Sequence, residues 1–285
     1  MRFLDAAPIR SNMRLLTACL LGHVPPDRDL HSDFIRAMNV AQKTTIRTNR
    51  DGPFVEFDNA ELVSYLTKKK VFSEQEIQDE RHLMTNRERT LIEANIGAAM
   101  RLIANVSPNL HRLVSELIGS LAIYKIQDRD GGTVSCCIGL IWLSPADYWT
   151  IEYYAEMIVH EFVHNSVFLD DMVNGIMPNP EFVTRPEAHA ISVLRKTKRP
   201  YDKAFHSACV ATALMYFYHR LGNDAKAQSY IADIRRTASD LREVEQSCNS
   251  LGIELLNDNG RSIIESLASF AEQPDYDSIH NSLDV

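Results

Sequence analysis

The segment Ile158-Val159-His160-Glu161-Phe162-Val163-His164 holds two histidines four residues apart, with a glutamate directly after the first. Residues at i and i+4 of a helix project from one face, so both imidazoles can reach a single metal ion. Glu161, one position past the first ligand, can reach a metal-bound water or a substrate instead of the metal. Around them stand Met157, Ile158, Val159, Phe162, Val163, Val167 and Phe168, which make this helix apolar around most of its circumference. Two imidazoles and a carboxylate are costly in such surroundings without partners, and a metal ion supplies one. The expected chemistry is metal-dependent catalysis, with His160 and His164 as ligands and Glu161 as the catalytic carboxylate.

Catalytic ions of this kind are held by three protein ligands, so the third decides the chemistry. The metzincin pattern demands Gly at 167 and His at 170, where this chain has Val167 and Asp170. Asp170 could itself serve, but no glycine provides the local bend it would need. A thermolysin-like site places a glutamate about twenty residues after the second histidine. Glu181 and Glu187 fall near that distance, and neither stands in a second motif. His189 and His206 remain. His206 follows Arg199-Pro200 and opens an apolar helical segment that continues through Val210, Leu214 and Phe217. An amphipathic helix there, packed against the histidine helix, makes His206 the expected third ligand.

Several elements must position these groups. Ser73-Glu74-Gln75-Glu76 reads as a capping box opening a long helix toward Val106. Ser107-Pro108 starts the next helix, with Ser as N-cap. The runs Leu121 to Ile126 and Val134 to Trp142 are β-like and flank the turn-forming Asp128-Arg129-Asp130-Gly131-Gly132, which predicts a hairpin. Ser144-Pro145 signals another helix start, and a strong helical pattern runs from about Thr150 to Leu169. Asn174 to Pro186 reads as a loop, followed by helices over roughly Tyr201 to Leu221, Asp224 to Ser250 and Arg261 to Phe270. The expected fold is α+β, mainly α-helical, with a small antiparallel sheet beside the histidine helix. With no repeat or linker, one compact unit over 1–285 is the default. Within it, 1–85 would form an N-terminal helical cap, 86–250 the metal-binding core and 251–285 a helical tail.

The 285 residues are 45% hydrophobic and 24% charged, which excludes a disordered chain, a collagen-like repeat and a disulfide-stapled miniprotein. A formal charge of −8 argues against a surface built to neutralise phosphates, so nucleic acid is not an expected partner. The five cysteines are odd in number and form no CxxC, which points to a reducing, cytoplasmic compartment. Leu16-Thr17-Ala18-Cys19 looks like a lipoprotein cleavage box, but Asp5, Arg10, Asn12 and Arg14 interrupt the apolar stretch that export requires. The run Leu15 to Leu21 is too short to span a bilayer, so no membrane partner is expected.

Taken together, Ile138-Gly139-Leu140-Ile141-Trp142, Ala155-Glu156-Met157-Ile158-Val159-His160-Glu161-Phe162-Val163-His164, and Arg199-Pro200 with His206 resemble a bacterial family of HExxH-motif proteins. That family is associated with modification of ribosomally made peptides and includes 2-oxoglutarate-dependent β-hydroxylases. The resemblance spans 87–244. It implies Fe(II) held by His160, His164 and His206, leaving about three positions of an octahedral shell for 2-oxoglutarate and dioxygen. It also implies an arginine clamp for the cosubstrate's carboxylates, for which Arg199 and Arg195 are nearest His206 in sequence. Glu161 would then orient the substrate, an amino-acid side chain in a peptide or a free amino acid. This chain departs from the pattern at Tyr201-Asp202-Lys203-Ala204, which lacks a glycine-containing turn, and at Cys209 among the small residues of the helix. Two other readings stand beside it. One is a zinc metallopeptidase with Glu161 as general base; the other is a non-enzymatic helical protein with a structural or vestigial metal site.

Overall fold

Helix signals dominate the sequence, and the structure follows them. It is a computed structural model that describes residues 1–49 and 52–284, and it is mainly helical with a small sheet. The chain divides into two compact units, residues 10–168 and residues 1–9 with 169–285. These boundaries lie at 9/10 and 168/169, and neither 85 nor 250 coincides with them. No helix among the described residues is long and apolar enough to cross a membrane.

The unit of residues 10–168 carries most of α1 (Ala6–Leu21), then α2 (Leu30–Gln42), β1 (Phe54–Glu56), α3 (Ala60–Lys68) and α4 (Glu74–Ile77). α5 (Asn86–Val106), α6 (Pro108–Leu117), β2 (Ser120–Ile123), β3 (Gly131–Gly132), β4 (Leu140–Leu143) and α7 (Ile151–Asn174) complete it, α7 running on past the division. The Ser73 capping box forms, yet its helix stops after Ile77 and Gln78 is extended. A second box does the work expected of the first: Thr85 accepts from the Glu88 N–H, while the Glu88 carboxylate accepts from the Thr85 N–H at 2.6 Å. That box opens α5, whose Ile92, Ile96, Ala99 and Ile103 are buried at helical spacing. Ser107 caps α6 with Pro108 in its first turn, as the sequence indicates.

The sheet departs from the expected hairpin. Its order is β1-β2-β4-β3; β1, β2 and β4 run parallel, and only β3 pairs antiparallel, with β4. Every residue of β2 and β4 is buried, which is the signature of strands covered on both faces rather than of an alternating hairpin. The Gly131-Gly132 pair does not turn one strand back on the next but forms the edge strand β3. A side chain at Gly131 would meet the Trp142 carbonyl at 2.8 Å, and one at Gly132 would meet the Trp142 ring at 2.9 Å. Ser144 holds the end of this sheet, not a helix: its hydroxyl binds the Ile126 N–H and carbonyl at 2.8 and 3.0 Å.

The other unit holds β5 (Ala190–Ile191), β6 (Lys198–Arg199), α8 (Tyr201–Arg220), α9 (Asp224–Ser229), α10 (Ile231–Ser250), α11 (Asp258–Glu272) and α12 (Tyr276–Ser282). α8 is buried from Ala204 to Tyr218 on every face, so it is a central helix and not the amphipathic one expected. The helical stretch from Asp224 breaks at Tyr230 into α9 and α10. The chain start belongs here too: Ser282 Oγ donates to the Leu4 carbonyl, and the Arg2 guanidinium grips Asp170 with two bonds of 2.9 and 2.8 Å.

Candidate metal centre

α7 reaches the sheet through one amide. Asn165 Oδ1 accepts from the Gly139 N–H at 2.8 Å. Its Nδ2 donates to the Leu140 carbonyl at 3.2 Å, to Thr133 Oγ1 at 2.9 Å and to the Glu161 carbonyl at 3.1 Å. Gly139 sits at φ +95, and a Cβ there would lie 2.7 Å from Ile35 Cδ1, so only glycine presents its N–H to Asn165 in this way. Sequence reasoning missed Asn165. The available signal was an amide directly after the second histidine on an apolar helix, since a buried amide needs hydrogen-bond partners.

The motif histidines come together on one face of α7. Their Nε2 atoms are 3.2 Å apart and their ring centroids 5.0 Å apart. An ion about 2.1 Å from each nitrogen, at a ligand angle of about 100°, would separate them by about 3.2 Å. Two nitrogen donors at this spacing fit one transition-metal ion, and the same spacing fits an N–H···N hydrogen bond between the rings. His164 also stacks on Phe168, with centroids 6.4 Å apart.

Glu161 completes the group. It is 4% exposed, and its Oε1 lies 3.8 Å from His160 Nε2. Its Oε2 is buried without a hydrogen-bond partner among the described residues. Burial alone pushes its carboxyl up to about 8, which favours the protonated form until a cation stands nearby.

The remaining residues singled out in the sequence belong to the other unit. His206 lies in the first turns of α8, 5% exposed, and burial, reinforced by Lys203, holds its imidazole down at about 3. It is thus a neutral nitrogen donor. Arg199 is half-buried on β6, its backbone paired with Ala190, while Arg195 is exposed. Asp170 is held by Arg2 and by Asn174, whose amide donates to it at 2.6 Å. Glu181 and Glu187 are exposed and His189 is half-buried. Among the described residues no group of three or more His, Cys, Asp or Glu side chains is arranged to hold a metal ion. The structure brings together His160, Glu161 and His164. The chain matches no family model, and no curated protein shows significant similarity to it.

Proposed function

We propose that the chain is a metal-dependent enzyme of the Fe(II)- and 2-oxoglutarate-dependent class, hydroxylating an amino-acid side chain of a peptide or a free amino acid in the cytoplasm. The observation that carries this reading is the 3.2 Å spacing of the His160 and His164 Nε2 atoms beside the buried Glu161 carboxyl. His206 is the third ligand in this reading on the strength of its chemistry, a buried imidazole kept neutral. When bound, iron and 2-oxoglutarate with dioxygen supply the oxidising power that no protein side chain has. The chain's own part is positional. His160 and His164 fix two ligand directions from one rigid helix, and Asn165 anchors that helix to the sheet. Glu161 orients a polar group of the substrate at Oε2, and Arg199 and Arg195 provide guanidinium forks for the cosubstrate's carboxylates.

One observation favours a second reading, a zinc metallopeptidase. Glu161 sits one residue past a ligand with an unbonded carboxyl oxygen, the placement a general base requires.

Metal analysis of the purified chain, followed by 2-oxoglutarate turnover, separates the two. Iron content with succinate production is the expected result. Zinc with peptide cleavage that Glu161→Gln removes would install the peptidase instead. His160→Ala and His164→Ala should each lose metal binding and turnover while retaining the wild-type far-UV spectrum. Full metal content in both variants would end either reading.

A further inference from the structure

The four-stranded sheet ends on β3, which pairs with β4 and with no other strand among the described residues. In an antiparallel pair, successive residues turn their N–H and C=O alternately toward the partner strand and away from it. Two bonds fix that alternation here. The Ser144 N–H donates to the Asp130 carbonyl at 2.7 Å, and the Leu143 carbonyl accepts from the Tyr124 N–H, on the β2 side of β4, at 3.0 Å. Asp130 and Gly132 therefore face β4, whereas Gly131 faces away from it. The backbone N–H and C=O of Gly131 and of Thr133 form no hydrogen bond to any group of the described residues. Residues 131–134 are half-buried, and Val134 is still extended at φ −140 and ψ 144.

This edge is bare of side chains as well as of partners. Gly131 and Gly132 carry none, and a Cβ at either would collide with Trp142. β3 itself holds neither a proline nor a charged residue, two of the devices that close a sheet edge to a further strand. Two tethers to α7 set where the edge lies relative to the motif histidines. The Tyr153 hydroxyl donates to Asp130 Oδ2 at 2.8 Å, and Asn165 Nδ2 donates to Thr133 Oγ1 at 2.9 Å. The edge from Asp130 to Thr133 thus runs alongside α7 from Tyr153 to Asn165, and His160, Glu161 and His164 stand on the helix between the two tethers. Glu161 and Asn165, four residues apart, share one face of that helix.

An unpaired strand edge recognises one chemistry, the backbone of another extended chain, whose N–H and C=O groups return to the same side every second residue. We propose that the β3 edge holds the substrate as an extended peptide, added to the sheet as a fifth strand through the N–H and C=O groups of Gly131 and Thr133. A free amino acid has no peptide groups to engage both positions, which are about 7 Å apart along an extended chain. The bound peptide passes along α7 beside the motif histidines, and its register on the edge selects which of its residues is presented there. In treating this peptide as the substrate, the inference rests on the metal site of the function proposed above; the binding itself does not.

The test titrates acetyl-Thr-Val-Lys-Val-Thr-amide into the isotopically labelled full chain, treated with a chelator so that binding is read apart from turnover. The control is the same peptide N-methylated at every peptide nitrogen, which keeps its side chains and charge but loses its donors. Saturable shifts of the Gly131 and Thr133 amide resonances are expected, with slower solvent exchange of both amides in the complex. The methylated peptide should bind about tenfold more weakly or not at all. No saturable binding, equal binding of the methylated peptide, or shifts that leave Gly131 and Thr133 unmoved would each overturn the proposal. Metal-dependent turnover of a free amino acid without peptide binding would overturn it too, yet leave the metal site standing. Peptide bound at the edge of a chain that purifies without metal would count against the metal site and leave the edge standing.

Discussion

Asn165 spends its whole amide on α7 and the sheet: one carbonyl oxygen and one NH₂ group serve the Gly139 N–H, the Leu140 carbonyl, Thr133 and the Glu161 carbonyl. Removing it leaves the buried Gly139 N–H without its partner, which costs about 1–3 kcal/mol, while the Leu140 carbonyl keeps its 2.8 Å bond from Thr133 Oγ1. Asn165→Ala should therefore lower stability by about 1–3 kcal/mol in urea unfolding, and should loosen metal binding because the helix bearing both imidazoles loses its anchor. Unchanged stability would show that these bonds are replaceable by water. That the two motif imidazoles share a face was legible from sequence, because helix geometry fixes it within one turn. Their relation to His206 was not legible in the same way: no local periodicity encodes how residues more than forty positions apart approach each other. Asn165 lies between these cases. Its burial could be read from its apolar neighbours, but its partners, Gly139 and Thr133, could not.

Among the elements, the long helices were the most legible, and the reason is local. Ser107-Pro108, the heavily apolar 151–169 stretch and the 201–220 stretch each carry their own start signal or period. The strands were harder. β2 and β4 were found near their places, but a Gly-Gly turn between two apolar runs suggested a hairpin, and only the absence of alternation argued for parallel pairing. The helix opening at Ser73 failed for a different reason. Two S/T-x-x-E boxes stand twelve residues apart, at Ser73 and Thr85, and the first was credited with the helix that belongs to the second. Thr85→Ala should lower stability by about 1 kcal/mol, since it removes the cap of α5. Ser73→Ala should matter less, because α4 spans only Glu74–Ile77 and buries none of its residues. Paired urea titrations of the two variants would check this order. Lys43 offers the opposite sign. It ends α2 at φ +56, a left-handed conformation that a side chain resists, so Lys43→Gly should stabilise by about 1 kcal/mol in the same assay.

At the scale of the whole chain, one unit is continuous in sequence and the other is not. Residues 10–168 fold from a single stretch, whereas residues 1–9 join the unit built by 169–285. Helix signals along the chain foretold a mainly helical fold, but no feature of residues 1–9 announced a partner at Asp170, because the Arg2–Asp170 fork spans 168 positions. Arg2 is 32% exposed, so the fork is only partly shielded from solvent, and Arg2→Ala should cost about 1–2 kcal/mol. Hydrogen exchange locates the effect: amides of α12, whose Ser282 binds the Leu4 carbonyl, should exchange faster, while those of α6 should not change. Equal protection of α12 in both proteins would show that the chain start is held by other contacts.

The discontinuity also sets an order of events during synthesis. Residues 10–168 leave the ribosome as a complete unit before Ser282, the partner of Leu4, has been made. At about 5–20 residues per second, Ser282 follows Asp170 by on the order of ten seconds. Until then Phe3 and Leu4, both fully buried in the finished protein, are apolar side chains still waiting for their cover. Phe3 and Leu4 are thus made before residues 10–168 and placed after them, and for that interval a chaperone, not the native fold, is what can shield them.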